Sequence, residues 1–401
     1  MKIVLVHNSY QQGGGEDIVV AQERRCLERA GHRVVFYSRS NTEIGDLAPI
    51  GKLALAKNTV WSSRTHHEFG GLLARERPDL VHIHNTFVVI SPSIYSACRE
   101  RGVPVVQTLH NFRLMCPAAT FYRSGQICEA CAEKGLWPAV HHGCYRGSHT
   151  ASATVALMLA THRILGTWDD SVDTYIALSA FSRAKFVAAG LRQDKIVVKP
   201  NFVDPDPGLR TESGRHALFV GRLSEEKGLE TLFRAWERLP SQYPLQVVGD
   251  GPQRAAMEAR MRDGNMSHVA FRGRLSRDET IALIKGAQFL IVPSVCYEGF
   301  PMVIAEAMAC GTPVICSRLG SMEEIVSDRL TGLQFTPADS ADLLRKVEWA
   351  FNHPFEMAEM GRAARSEYER RYTAEGNYAL LMDIYERTLN RASASVPAAS
   401  H

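Results

Sequence analysis

The sequence predicts an α/β protein made of two doubly wound parallel-sheet domains. Three observations carry this. Residues 1–200 alternate short apolar runs with helical stretches, and residues 217–335 repeat the alternation. Between the two series lies PNFVDPDPGLRTESG, whose Pro, Gly and Asp content marks a connection beginning near Asn201.

In chain order, the front strands are expected at residues 3–6, 33–37, 80–84, 103–108, 174–178 and 196–198. The back strands are expected at 217–220, 245–248, 269–272, 289–292, 314–316 and 333–335. The opening MKIVLVHNSY alternates and runs toward Gly13, Gly14 and Gly15, so it reads as first strand, loop and then a helix reaching Gly31. Its apolar stretch before His7 is too short for a signal peptide, so secretion is not expected and a cytoplasmic location is. Residues 151–160 are apolar but include Ser152 and Thr154, and they reach only half of the ~20 residues a membrane span needs. They read as a buried or interfacial helix. After Gly228, the spacing of Leu229, Leu232, Phe233, Trp236 and Leu239 predicts an amphipathic helix.

The last helical pattern, 377–390, carries Tyr378, Leu381, Met382, Ile384, Tyr385 and Leu389 and is expected to pack back on the front domain. The expected organisation is a front domain over 1–200 with a Cys-containing insertion at 112–147, and a back domain over 201–374. A crossing helix over 375–391 and a disordered tail over 392–401 complete it.

With 401 residues, 45% apolar and 22% charged, the chain has the composition of an ordinary folded protein. A net charge of +3 does not by itself imply a polyanion partner. Residues 1–200 hold 23 Lys and Arg against 16 Asp and Glu, whereas the remainder holds 23 against 27. The basic front half is compatible with an anionic lipid surface, and so with a peripheral place on the inner membrane face, or simply with a solvated surface.

The chemistry concentrates in two loops. In SVCYEGFPMVIAEAMACGTPV, an apolar strand runs into a loop holding Glu298 and Gly299, and Pro301 suits the first position of a helix that ends at Gly311. Glu298 lies on the loop and Glu306 inside the helix, roughly 7 to 8 Å beyond Pro301 at ~1.5 Å per residue, so the two carboxylates can meet opposite ends of one elongated ligand. Carboxylates accept hydrogen bonds from sugar hydroxyls, and the amides near Phe300, Pro301 and Met302 open a helix N-terminus that favours an anion. In VGRLSEEKGLE, Arg222 and Lys227 share the loop at a strand's carboxyl end, where open parallel sheets bind ligands. Two fixed cations can neutralise a departing diphosphate without a metal.

In the front half, tandem glycines around Gly14 let a backbone approach a phosphate or sugar, or form a flexible loop. His110 ends a strand at a ligand-facing edge, where it can donate to a sugar hydroxyl, receive a proton, or cap and pack. His82 and His84 share one face of the preceding strand and read as satisfied core histidines.

These motifs, GRLSEEKG, VVGDGP, EGFPMVIAEAMACGTPVI and the early GGGED, resemble those of the retaining glycosyltransferases of group 1, family four, over most of the chain. The resemblance implies the GT-B architecture: two Rossmann-like domains facing a central cleft, an acceptor side in front and a nucleotide-sugar donor side behind. It implies that Arg222 and Lys227 hold the donor diphosphate, Glu298 the sugar hydroxyls and Glu306 the ribose, and that Gly15 sits near the diphosphate. His110 would touch the transferred sugar, Ser182 and Arg183 would line the cleft, and Gly14, Gly249, Gly251, Gly299, Phe300, Pro301 and Met302 complete the donor-binding set. The implied reaction is metal-independent hexosyl transfer with retention by front-face attack. A nucleoside-diphosphate sugar is the co-substrate and a glycan or lipid-linked molecule the acceptor, as in polysaccharide biosynthesis. Glu298 as a covalent nucleophile fits less well, because a loop carboxylate beside a diphosphate clamp suits sugar binding.

One departure is the insertion holding Cys116, Cys128, Cys131 and Cys144, a Cys-x-x-Cys with two outlying thiols. It suits a tetrahedral structural zinc or free thiols in a loop. The other five cysteines, Cys26, Cys98, Cys296, Cys310 and Cys316, fall in apolar stretches and read as reduced core thiols. Two other classes compete with the transferase. An epimerase or phosphorylase on the same fold is separable because an epimerase needs no acceptor. A nucleic-acid-binding module is disfavoured because aromatic residues are not interleaved with Lys and Arg.

Overall fold

The computed structural model describes residues 1–11, 13–44, 49–212, 214–264 and 266–395. The chain divides into two units. Unit 1 comprises Met1–Phe121, Cys128–Pro200 and Asn377–His401, and unit 2 comprises Tyr122–Ile127 and Asn201–Gly376.

The strands are, in order, β1 Lys2–Ser9, β2 Arg33–Ser40, β3 Leu80–Asn85, β4 Val105–Leu109, β5 Tyr122–Arg123, β6 Gln126–Ile127, β7 Thr174–Ala177 and β8 Ile196–Val198. They continue as β9 Ala217–Val220, β10 Leu245–Val248, β11 Val269–Gly273, β12 Phe289–Val292, β13 Val314–Ser317 and β14 Gly332–Phe335. Unit 1 holds a six-stranded sheet in the order β2-β1-β3-β4-β7-β8, parallel at every pairing. Unit 2 holds another, β11-β10-β9-β12-β13-β14, again all parallel. Each order reverses direction once, between β1 and β3 in unit 1 and between β9 and β12 in unit 2. Loops that leave the carboxyl ends of strands on either side of such a reversal diverge and open a crevice, the place where doubly wound sheets bind ligands.

Fully buried strands in parallel sheets read as continuous apolar runs, and β12 (FLIV) and β13 (VICS) are buried at every position. The predicted amphipathic helix forms over Leu229–Trp236. Leu229, Leu232, Phe233 and Trp236 have no exposed surface and pack in a core with Phe219, Val247, Ile291 and Leu343. In unit 1 the sheet core joins Ile3, Leu27, Leu80, Val106 and Ile176 to Leu381, Ile384 and Tyr385 of the C-terminal helix.

Several local expectations need correction. Pro301 is the N-cap of helix Met302–Cys310, with extended backbone, and is not its first helical residue. Its ring fixes φ near −72° while ψ of 102° keeps it outside the helix. The C-terminal helix Ala374–Ser395 runs into the stretch expected to be disordered. The rest of that tail, 396–401, lies outside the described residues. Within the Cys-containing insertion, Tyr122–Ile127 forms a two-stranded hairpin that groups with unit 2 and not with the front domain. There the Tyr122 phenol is pushed up by burial and by its hydrogen bond to Glu225.

Candidate functional site

In unit 2 the loops after β9 and β12 flank the sheet reversal, and their key side chains meet. Lys227 Nζ lies 2.6 Å from Glu298 Oε1, which also accepts from Ser294 Oγ at 2.7 Å. The two loops are also joined through their backbones, Val295 N donating to Glu226 O at 2.9 Å, and Ser321 Oγ, from the helix after β13, donates to the Glu298 carbonyl at 2.7 Å. Gly228 makes this approach sterically feasible. Its φ of +73° is left-handed, and a Cβ there would stand 1.9 Å from Pro293 O. Burial alone would raise the Glu298 carboxyl, but the Lys227 ammonium outweighs it and holds the group below its usual range. Lys227 is raised in turn, with Glu298 overcoming burial. Arg222 is exposed on the same loop and has no ion pair among the described residues.

Glu306 is handled differently. It is 8% exposed, and its nearest cation is Arg277 Nε at 3.8 Å. Burial pushes its carboxyl up to about 7, with Arg277 opposing. The helix carrying it begins without a side-chain cap at Pro301, which leaves its first amides to a ligand or water. Phe300 and Met302 are buried, Phe300 against the Tyr372 ring at 5.5 Å, and Gly299 is partly exposed. Gly249 and Gly251 have a packing role: added Cβ atoms would fall 1.9 Å from Gly221 O and 2.5 Å from Leu223 O.

In unit 1, Gly14 caps helix Gly15–Arg29, its amide donating to Asp17 Oδ2 at 2.8 Å, and a Cβ on Gly14 would meet nothing within 4 Å. The first turn of that helix gathers groups the sequence reading passed over. His7 Nε2 lies 2.8 Å from Asp17 Oδ1, and Tyr10 OH donates to Glu16 Oε2 at 3.1 Å. Burial pushes the Glu16 carboxyl up to about 7, although His7 and Tyr10 pull it down. His110 directly follows β4, and its Nε2 lies 2.8 Å from His84 Nδ1. With Asn111, Arg113 and Gln107 it lines a partly open cavity of about 50 Å³. Asn111 and Arg113 were readable as neighbours of His110 in LHNFR; Glu16 and Asp17 were readable only as acidic first-turn residues. Ser182 is buried inside the first turn of helix Ala180–Ala188, where its amide donates to the N-cap Ser179 Oγ at 3.0 Å and its own Oγ accepts from that hydroxyl at 2.8 Å, and Arg183 donates to the Ile196 carbonyl.

Comparison with known proteins names what this arrangement belongs to. Residues 204–367 match the family described as "Glycosyl transferases group 1", and residues 13–207 match "Glycosyltransferase Family 4". The chain is 30% identical over 407 residues to a glycogen synthase of Mycobacterium tuberculosis, covering 91% of this chain and 89% of that protein. The chain is a group 1 glycosyltransferase. A 2-deoxystreptamine glucosyltransferase of Streptomyces kanamyceticus is 27% identical over 343 residues, 83% of this glycosyltransferase and 84% of the relative. Among solved structures, sucrose-phosphate synthase from Thermosynechococcus elongatus superposes with a TM-score of 0.72 at 20% identity, over 97% of this chain and 99% of that one. Anabaena HepE in complex with UDP-glucose does so at 0.63 and 20%, over 98% and 100%. These likenesses establish the GT-B fold.

Two groups in this glycosyltransferase could be weighed as metal ligands. Cys131 is buried and has Cys116, Cys144 and Cys128 around it; burial first, then those thiols, pushes it up to about 11. Among the described residues the one trio whose donor atoms converge within 4.8 Å is instead Glu23, His82 and His84. There Lys199 Nζ, 3.2 Å from Glu23 Oε2, already supplies the counter-charge. No helix among the described residues is long and apolar enough to cross a membrane.

Proposed function

We propose that this glycosyltransferase moves a hexose, with retention of configuration and without a catalytic metal, from a nucleoside-diphosphate sugar to a glycan or lipid-linked acceptor. The observation that carries the reading is the Lys227–Glu298 pair, with Arg222 on the same loop, at the sheet reversal of unit 2. In this reading Arg222 and Lys227 neutralise the diphosphate as the sugar–phosphate bond breaks. Glu298 is held ionised to accept from sugar hydroxyls, and Glu306 accepts from the ribose. The leaving phosphate takes the acceptor's proton, and His110 contacts the transferred sugar. Support for a hexose donor comes from relatives named a glucosyltransferase and a glycogen synthase, and from a fold neighbour holding UDP-glucose.

The test is transfer from labelled nucleotide sugars by the wild type, Lys227→Ala and Glu298→Gln, with the anomer of the product read by NMR. Undiminished transfer by both variants, or an inverted product, would remove the proposal. A cytoplasmic, membrane-peripheral place is supported by Leu53, Trp137 and Ile164, each at least 71% exposed, with Lys52, Lys57 and Arg163 nearby in sequence. Co-sedimentation with anionic against neutral vesicles checks it. A structural zinc held by Cys116, Cys128, Cys131 and Cys144 rests on the Cys-x-x-Cys spacing of the insertion, although among the described residues no three of these sulfurs converge within 4.8 Å as donor atoms. Elemental analysis of the purified enzyme and of Cys131→Ser decides that point, and equal, negligible zinc in both would end it.

A further inference from the structure

Glu23 sits on helix Gly15–Arg29, with 2% of its surface exposed. Helix and strand spacing bring it under β3, where His82 and His84, two residues apart, face the same way. Its Oε1 lies 3.0 Å from His82 Nδ1 and 3.1 Å from His84 Nε2, and its Oε2 lies 3.2 Å from Lys199 Nζ. Lys199 is 2% exposed and also donates to Asn377 Oδ1 at 2.8 Å. On its other nitrogen, His84 Nδ1 meets His110 Nε2 at 2.8 Å, and the two rings stack 26° apart.

We propose that Glu23, acting through His84, fixes His110 in the tautomer whose proton is on Nε2, so that His110 offers a lone pair at Nδ1 and accepts a hydroxyl's hydrogen bond instead of donating one. This rests on the reading that His110 contacts the sugar. Glu23 Oε1 and His84 Nε2 stand 3.1 Å apart in a dry core, close but not aligned as a hydrogen bond, and two proton-free acceptors so near repel, so either Glu23 Oε1 or His84 Nε2 carries a proton. The Lys199 ammonium on the other oxygen keeps Glu23 a carboxylate; burial would raise that group, and Lys199 with the two histidines outweighs it. The proton is therefore on His84 Nε2.

Lys199 Nζ, 3.2 Å from Glu23 Oε2, already balances that carboxylate, so a second buried cation would be uncompensated; burial also pushes His84 down to about 3, the ring is neutral and its Nδ1 is bare. A bare Nδ1 at 2.8 Å requires the proton on His110 Nε2. His110 is itself kept neutral by burial and the neighbouring histidines, which leaves its Nδ1 without a proton. His82 stands outside this line: its nitrogens also meet Tyr385 OH at 2.7 Å and Thr108 Oγ1 at 2.8 Å. His84 and Glu23 are thus positioning residues, one step and two steps behind the ring that meets substrate.

The test reads the ring nitrogens directly in full-length enzyme labelled with ¹⁵N-histidine, using long-range ¹H–¹⁵N correlation without substrate and His110→Gln to assign the His110 signals. The expected spectrum shows His110 protonated at Nε2 and bare at Nδ1; the opposite tautomer, or a doubly protonated ring at neutral pH, overturns the proposal. In His84→Phe the ring loses its partner, so His110 is expected to show mixed tautomers and kcat to fall by about 10-fold or more with donor KM little changed. An unchanged His110 spectrum in that variant also overturns it. If His84→Phe does not fold, the wild-type spectrum still decides. Full kcat in His110→Gln together with the expected spectrum would instead refute only the sugar-contact reading.

Discussion

Lys227 and Glu298, 71 residues apart, are joined nitrogen to oxygen at 2.6 Å, and each comes from a loop on one side of the sheet reversal in unit 2. The pair is half sheltered, with the lysine 28% and the glutamate 14% exposed. It lies between the surface ion pair that contributes little and the buried pair whose breakage is costly.

Removing either partner should therefore cost stability as well as turnover. Lys227→Ala is expected to lower stability by about 1–2 kcal/mol in urea unfolding, and Lys227→Ala with Glu298→Gln by less than the two single changes together. Additive costs would mean the two groups do not interact in solution.

Glu306 titrates near neutrality, and the sign of its effect follows. Its folded value, about 7, lies above the 4.5 of an ordinary glutamate. Its stabilising contribution is complete below about 4.5 and is lost as pH rises through about 7. Between pH 5 and 8 the wild type should thus lose stability relative to Glu306→Gln. Donor affinity should move the opposite way, tightening above pH 7 in the wild type if the ionised carboxylate binds ribose. Parallel pH profiles for the two proteins would remove both expectations.

Gly228→Ala should be disabling although no chemistry passes through the glycine. A Cβ would strike Pro293 O and occupy a left-handed backbone, so a loss of about 2 kcal/mol or more is expected, with weaker donor binding as the β12 loop shifts. Titration calorimetry with a nucleotide sugar and thermal unfolding check this; wild-type values in both would contradict the loop packing.

Tyr385 tests how the C-terminal helix supports unit 1. The ring is fully buried with Ile3, Leu80 and Val106, and its hydroxyl lies 2.7 Å from His82 Nδ1. Tyr385→Ala is expected to cost about 3–5 kcal/mol and Tyr385→Phe about 1 kcal/mol in chemical denaturation. Equal costs would show that the hydroxyl, and not the packing, carries the contact.

The twelve strands of the two large sheets were legible because a strand in a parallel sheet is marked locally, by a short apolar run ended by Gly, Pro or a polar loop. Lys227 and Glu298 were legible as candidates for a related reason: each follows such a run closely enough to lie at its carboxyl edge. The N-cap role of Pro301 was missed because proline's fixed φ suits both that position and the next, and only ψ distinguishes them.

What the linear chain determined by itself was the alternation of elements, the two-sheet architecture and the loops that carry charge, all set by spacing over a few residues. Only the tertiary structure decided that Glu23 faces His82, His84 and, 176 residues on, Lys199, or that Tyr385 reaches His82 across 303 residues. Periodicity records which face of an element is apolar and contains nothing about which distant polar group will share that face. Buried charges must nevertheless find partners, and the fold chooses them.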